Sequence, residues 1–271
     1  MNIDFEKTKE SYTKEGFVVI KDFFSEQKMS EIDRWSMEVM DWPEAQGKWF
    51  KYFEMSHEIG SDKSVKKLSK VEDFVKYHEN FSRFVREPSF VELLSHLMGE
   101  PVSFFKEKLN VKLPGGKGYQ AHQDAPGYFH IDYDAITAFI AIDPVSIDSG
   151  CLYFSDSVFT ETLPQKEGTG ALASEVVDDL SWFPVTCEPG DMILFSSYTP
   201  HYSLKNVGNH MRRALFLTYG KEEKTVGMTE KYYADKRKAF PQDCEKVPGT
   251  DYTKAAGIYS YSSPAIVNQS I

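Results

Sequence analysis

The sequence reads as an all-β core of jelly-roll type with flanking helices, most of them N-terminal. Three features carry this reading. The hydrophobic period changes at Pro101 from helical spacing to two-residue alternation. Beyond that point six to eight short apolar runs follow, bounded by Gly, Pro, Asn and Asp clusters. Neither an internal repeat nor a linker-like stretch divides the 271 residues. One domain is therefore expected over 1–271, with 1–100 as mainly helical support, 101–220 as the jelly-roll core and 221–271 as a C-terminal helix and tail.

Taken in order, Phe5 to Glu15 suits a polar helix, and Gly16 ends it because glycine accepts the left-handed conformation that closes helices. Phe17-Val18-Val19-Ile20 is an uninterrupted β-branched and aromatic run, hence a short buried strand. Ser25 is placed as the N-cap of a helix from Glu26 to Met40, with Ile32, Trp35, Val39 and Met40 on one stripe. Ser64 to Met98 is expected to hold two or three more helices, the last marked by Phe90, Leu93, Leu94 and Leu97 before Gly99. Strands are then predicted near Val102–Leu113, Tyr119–His122, Ala135–Asp143, Leu152–Ser155, Phe183–Glu188, Met192–Ser196, Tyr202–Leu204 and Arg213–Tyr219. Pro114-Gly115-Gly116, Asp148-Ser149-Gly150, Pro189-Gly190-Asp191 and Asn206-Val207-Gly208-Asn209 supply the turns between them. Ser157 to Asp179 lacks sustained alternation and reads as a long loop over the barrel mouth. A helix at Met228–Phe240 and a charged, Tyr/Pro-rich tail complete the chain.

Composition narrows the functional classes. Apolar residues at 41% and charged residues at 27% are the mixture of a folded globular protein, which excludes a disordered or collagen-like chain. The formal charge of −10 argues against sequence-independent nucleic-acid binding, which needs a basic face. An anionic substrate would need a local basic pocket working against that global field. No apolar stretch approaches the ~20 residues of a membrane span, and the acidic start MNIDFEKTKE resembles neither a signal nor a transit peptide, so a soluble, cytoplasmic protein without a membrane partner is expected. Cys151, Cys187 and Cys244 are odd in number and far apart, and read as reduced thiols.

His122-Gln123-Asp124 is the first unit that carries chemistry. In an extended chain residues i and i+2 point to the same side, so an imidazole and a carboxylate converge there. A second imidazole would complete a two-histidine, one-carboxylate triad that holds non-haem Fe(II) and leaves coordination positions open. His201, which follows the buried run Met192 to Phe195, is the candidate, because a later barrel strand can lie beside the first. An arginine close to such a site can hold the distal carboxylate of an organic acid in a bidentate pair. Arg212 and Arg213 compete for that role, since neighbours on a strand face opposite sides. Gly115-Gly116-Lys117-Gly118 lacks phosphate-loop spacing and reads as a hairpin turn.

This arrangement resembles the phytanoyl-CoA dioxygenase family of Fe(II)/2-oxoglutarate oxygenases, from Gly16-Phe17-Val18-Val19-Ile20 through Thr218-Tyr219. The resemblance implies a double-stranded β-helix, cupin-like, with helices packed on one side. It implies that His122, Asp124 and His201 bind the metal and carry catalysis, that Arg212 binds the 2-oxoglutarate carboxylate, and that Ser203 assists it. Fe(II) would be the cofactor, with 2-oxoglutarate and O₂ as co-substrates and succinate and CO₂ as products. The family often carries Asn-Gly before the Cys-Leu step, where this sequence has Ser149-Gly150-Cys151-Leu152.

Within the family, Lys112-Leu113-Pro114-Gly115-Gly116, His122-Gln123-Asp124-Ala125-Pro126 and Ser197-Tyr198-Thr199-Pro200-His201 look like the branch that hydroxylates 2-aminoethylphosphonate, as do Tyr233 to Pro241 and Ala256-Gly257-Ile258-Tyr259. Such a substrate needs donors for the phosphonate, for which Lys108, Asn110 and Gln120 are candidates, and acceptors for the ammonium, for which Asp132, Asp134 or Tyr198 are. The competing expectations are the same chemistry on a trimethylated aminophosphonate, an amino acid, a betaine-like compound or an acyl-CoA, and a barrel that binds a ligand without catalysis.

Overall fold

The structure, a computed structural model, describes residues 3–57, 64–252 and 255–259. The expected tail beyond residue 259 lies outside the described residues. Helix α1 (Phe5–Glu15) begins where Asp4 accepts a hydrogen bond from the Lys7 N–H at 3.1 Å, and ends at Gly16 with φ +75°. Strand β1 (Phe17–Ile20) follows directly, and α2 (Glu26–Asp41) starts under its Ser25 cap.

The N-terminal third is more than helical support. Phe50–His57 forms β2 and Ser64–Glu72 forms β3, an antiparallel pair in which Phe50 faces Glu72 and Tyr52 faces Lys70. Helix was expected from Ser64 onward, and the reason for the difference is physical. These strands bury Lys51, Glu54, Ser69, Lys70 and Glu72, so the apolar alternation that marks a half-buried strand is missing from them. Helices α3 (Glu79–Phe84) and α4 (Pro88–Met98) do form, the latter burying Phe90, Leu93, Leu94 and Leu97.

The remaining strands fall close to their expected positions: β4 (Val102–Lys112), β5 (Tyr119–His122), β6 (Ala135–Ala141) and β7 (Leu152–Ser155), then β8 (Trp182–Val185), β9 (Met192–Ser196), β10 (His201–Ser203) and β11 (Arg212–Lys221). Between β7 and β8 the expected long loop contains one short helix, Ser174–Asp179. After β11 come Glu222–Thr225, a single helical turn, and the C-terminal helix Met228–Ala239.

Two sheets result. The larger runs β1-β9-β6-β11-β4-β3-β2 and the smaller β5-β10-β7-β8, with every pairing antiparallel. This is the jelly-roll architecture. The turn at Gly115–Gly118 is not a hairpin: it carries the chain from β4 in one sheet to β5 in the other. Only glycine fits at 118, because a Cβ there would meet the Ser203 carbonyl at 2.4 Å.

The layers follow from alternation. Leu109, Val111, Leu215 and Leu217 of the larger sheet join Ile32, Trp35, Phe81, Phe84 and Leu93 in a core between sheet and helices. Ala214, Phe216, Phe139 and Phe195 point the other way, against Leu152 and Phe154 of the smaller sheet. On β4 the inward residues are therefore Lys106, Lys108, Asn110 and Lys112, whose partners on β11 include Phe216 and Ala214. A third cluster, made of Phe50, Tyr52, Phe105, Tyr128, Tyr232 and Tyr233 with others, closes one end where the C-terminal helix docks.

Candidate active site

His122 and His201 are Cα partners across β5 and β10, so strand pairing alone brings two residues distant in sequence into contact. Their ring centroids are 4.3 Å apart. Asp124 follows on the turn after β5, which is pinned by the Ala125 N–H donating to the Ser197 carbonyl at 2.9 Å. The three side chains are buried and each offers a donor atom, all within 4.8 Å of one another. Nδ1 of His122 lies 2.7 Å from the Gln120 carbonyl and Nδ1 of His201 lies 3.0 Å from that of Thr199. Those contacts place the ring proton on Nδ1 and leave Nε2 as the donor, the orienting role that backbone carbonyls play for metal-binding histidines.

Electrostatics suits the same purpose. Burial pushes the His122 imidazole down to about 3, with His201 adding to the effect, and burial also lowers His201. Burial works against the Asp124 carboxylate, but the Lys108 ammonium leads the charges that outweigh it and hold the group well below the usual carboxylate range. Two neutral imidazoles and one carboxylate are the donor set of a facial triad that suits Fe(II). Phe154 and Phe195, both core residues, wall the His201 ring at 5.9 and 5.0 Å between centroids.

β11 turns the two candidate arginines to opposite faces. Arg212 is 1% exposed and lines the cavity with His122, His201, Ser203, Lys108 and Asn110. Its Nη2 donates to the Gly150 carbonyl at 2.8 Å, whereas Nε and Nη1 have no partner among the described residues. Two buried guanidinium nitrogens that lack a partner leave donors for an incoming carboxylate. Arg213 points away, paired with Asp143 at 2.6 Å and Asp33 at 2.7 Å. Ser203 also lines the cavity, accepting from Lys112 Nζ at 2.9 Å.

Lys112 itself was not anticipated, nor was Tyr119, which lines the cavity and lies under the Lys112 ammonium at 5.4 Å. A shift in register between His201 and Ser203 explains Tyr119: two residues of β10 span three of β5, so Tyr119 and not Gln120 joins His122. The Gln120 side chain is exposed, and only its backbone carbonyl serves the site. Lys108 is buried with Nζ 4.0 Å from Asp124 Oδ1, and the Oδ1 of buried Asn110 has no partner among the described residues. Tyr198 lies apart, bordering an outer groove with Pro126, Tyr133, Glu161 and Leu163. Asp132 and Asp134 pair with Lys224 and Lys221. Gln123, fully buried, was also missed as a fastener: its amide donates to the Tyr198 carbonyl at 2.6 Å and accepts from the Leu163 N–H at 2.8 Å. It thereby ties the 157–179 loop to the ligand-bearing turn.

Oxygenases that use Fe(II) with 2-oxoglutarate are the class of protein that this fold and donor set define, the triad fitting the metal and Arg212 the co-substrate. More narrowly, the profile of the phytanoyl-CoA dioxygenase family matches residues 12–214, and the chain belongs to that family. It is 36% identical to a 2-aminoethylphosphonate dioxygenase from an uncultured bacterium (HF130_AEPn_1), over 96% of this chain and 97% of that one. It is also 36% identical to a methylphosphonate hydroxylase from Gimesia maris, over 84% of each chain. Among solved structures it is similar in fold to the non-heme alpha ketoglutarate dependent epimerase SnoN from nogalamycin biosynthesis, with TM-score 0.65 and 17% identity over 83% of this chain and 88% of that one. EctD from S. alaskensis, solved with 2-oxoglutarate and 5-hydroxyectoine, superposes with TM-score 0.64 and 16% identity over 81% of this chain and 76% of that one. Among the described residues no helix is long and apolar enough to cross a membrane.

Proposed function

We propose that the chain hydroxylates a small phosphonate, foremost 2-aminoethylphosphonate, at the carbon next to phosphorus. The C–H bond and one molecule each of O₂ and 2-oxoglutarate would give 2-amino-1-hydroxyethylphosphonate, succinate and CO₂. The single observation that carries the reading is Lys108: a buried ammonium beside the metal-binding carboxylate, inside a protein of net charge −10. A cation placed there against the overall field is what an anionic substrate requires. The similarity to two phosphonate-named relatives favours the same class.

Each residue has a share in the work. His122, Asp124 and His201 would hold Fe(II), which with 2-oxoglutarate and O₂ supplies the oxidising power for C–H cleavage. Arg212 and Ser203 anchor the far carboxylate of 2-oxoglutarate, with Lys112 fixing the Ser203 hydroxyl. Lys108 and Asn110 seat the phosphonate and so present its neighbouring carbon to the metal position. Phe216 and Leu152 line the cavity and limit water. Tyr198 borders the outer groove and has no share in seating the phosphonate.

Turnover of 2-oxoglutarate to succinate tests this, with 2-aminoethylphosphonate and methylphosphonate set against glycine betaine, proline and ectoine. Substrate-dependent succinate together with a hydroxylated phosphonate in the ³¹P spectrum is the expected result. Turnover supported by betaine, proline or ectoine and by neither phosphonate would overturn it.

A further inference from the structure

Behind the cavity lies a group of charged side chains that the reaction as described leaves unused. β3 and β4 pair so that Lys70 faces Asn110 and Glu72 faces Lys108. Lys70 Nζ is 2.7 Å from Glu72 Oε1, and Lys236, reaching in from the C-terminal helix, bonds the other carboxylate oxygen. Lys106, two residues before Lys108 on the same inward row, donates to the Tyr232 hydroxyl at 3.2 Å. It sits over the rings of Tyr128 and Tyr232 at 5.3 and 5.0 Å. None of Lys70, Lys106, Lys108 or Lys236 is more than 4% exposed.

Four lysine amines therefore face two carboxylates, Glu72 and Asp124, and burial lowers the pKa of each amine. Glu107, the nearest other acid on β4, does not redress the balance. Its Oε1 accepts from the Phe74 and Val75 N–H groups at 2.6 and 2.9 Å, on the opposite side of the strand. Surplus buried cations cost stability, and a well-packed apolar cluster would hold these strands at least as firmly. The fold gains nothing from them, so the surplus points to a charge that arrives from outside. Glu72 clamps Lys70 and Lys236, which leaves Lys108 on the cavity wall and Lys106 directly behind it, two residues back on the same inward row and bonded to Tyr232. Along β4, Lys108 and Lys112 are separated by about 13 Å of strand, so this group and the Lys112–Arg212 end serve two different anions.

We propose that Lys106 and Lys108, positioned by the Lys70–Glu72–Lys236 clamp, form a charge-matched seat that selects a doubly negative oxyanion over a singly negative one of the same shape. The inference rests on the phosphonate reading and extends it from a substrate class to the basis of selectivity. Carboxylate and sulfonate analogues would leave the seat under-compensated; a phosphonate dianion would satisfy it.

Calorimetric titration of the holoenzyme, loaded with Fe(II) and 2-oxoglutarate and kept free of O₂, compares 2-aminoethylphosphonate with taurine, its singly charged sulfonate counterpart. The phosphonate should bind at least tenfold more tightly. Lys106→Met should cut that ratio at least fivefold, while Lys106→Arg keeps it within that limit. A wild-type ratio below tenfold, or a folded Lys106→Met protein whose ratio falls less than fivefold, overturns the seat. Should Lys106→Met fail to fold, Lys70→Met is judged by the same limits, and the wild-type ratio decides if neither folds. Loss of phosphonate turnover with the binding ratio intact sinks the functional reading alone; turnover with a flat ratio sinks the seat alone.

Discussion

Replacing Arg212 by Ala should weaken 2-oxoglutarate binding about 100- to 1,000-fold and leave iron binding unchanged. The magnitude follows from the unpaired nitrogens of the guanidinium. Nε and Nη1 are buried without partners, so a bound carboxylate gains two charge-assisted hydrogen bonds there, worth roughly 1.5–3 kcal/mol each. Allowing for the cost of ordering the ligand, about 3–4 kcal/mol is lost with the side chain, which converts at 1.4 kcal/mol per tenfold. Lysine is a poor replacement because it has no planar fork. Arg213→Ala is the control: its partners Asp143 and Asp33 lie on the outer side, and Asp33 is half exposed. That variant should lose about 3 kcal/mol of stability, because Arg213 is buried in a two-bond pair with Asp143, and none of its co-substrate affinity. The assay is anaerobic titration of the Fe(II)-loaded protein with 2-oxoglutarate, followed through its visible charge-transfer band. An Arg212→Ala protein within threefold of wild type, or an Arg213→Ala protein with the larger defect, would refute the assignment.

Ala at His122, Asp124 or His201 should abolish both iron retention after desalting, measured as metal content, and substrate-dependent succinate; full activity in any one variant removes that residue from the ligand set. Glu107 offers a test by pH. Burial pushes its carboxyl up to about 7, above the ~4.3 of an exposed glutamate. Between those values the folded chain binds the extra proton, so the stability from this group is full below the unfolded pKa and is lost as pH rises through 7, on the order of 3 kcal/mol in all. Denaturant unfolding at pH 4.5 and pH 8 should show wild type losing more stability across that interval than Glu107→Gln; an equal loss in both would sink the argument.

Much of the site was legible because its signals are local. His122 and Asp124 belong to one tripeptide, Gly16 ends the first helix, and apolar runs such as Met192–Ser196 mark buried strands at the observed boundaries. What escaped was written in the opposite polarity. Lys106-Glu107-Lys108-Leu109-Asn110-Val111-Lys112 alternates as a strand should, but its cations face inward, so only Lys108 and Asn110 stood out as candidates. Lys70 and Glu72 disguised β3 for the same reason. Gln120 illustrates a second limit: the alternate-residue rule puts it beside His122, and one irregular pairing in β5 sends Tyr119 there instead. Lys236 carries no sequence mark at all, since a lysine in a charged helix normally faces water, and only docking against β3 reveals its place.

The lysine that the Met228–Ala239 helix sets against Glu72 of β3 also fixes an order of events during synthesis. At about 5–20 residues per second, Lys236 leaves the ribosome roughly 2–7 s after His201, the last of the three candidate donors. The jelly-roll strands and all three metal donors are translated before it, while Glu72 waits for its second counter-ion. The candidate donor set is thus complete in a nascent chain before the charges behind its pocket are, and the Met228–Ala239 helix acts as the latch that ends this interval.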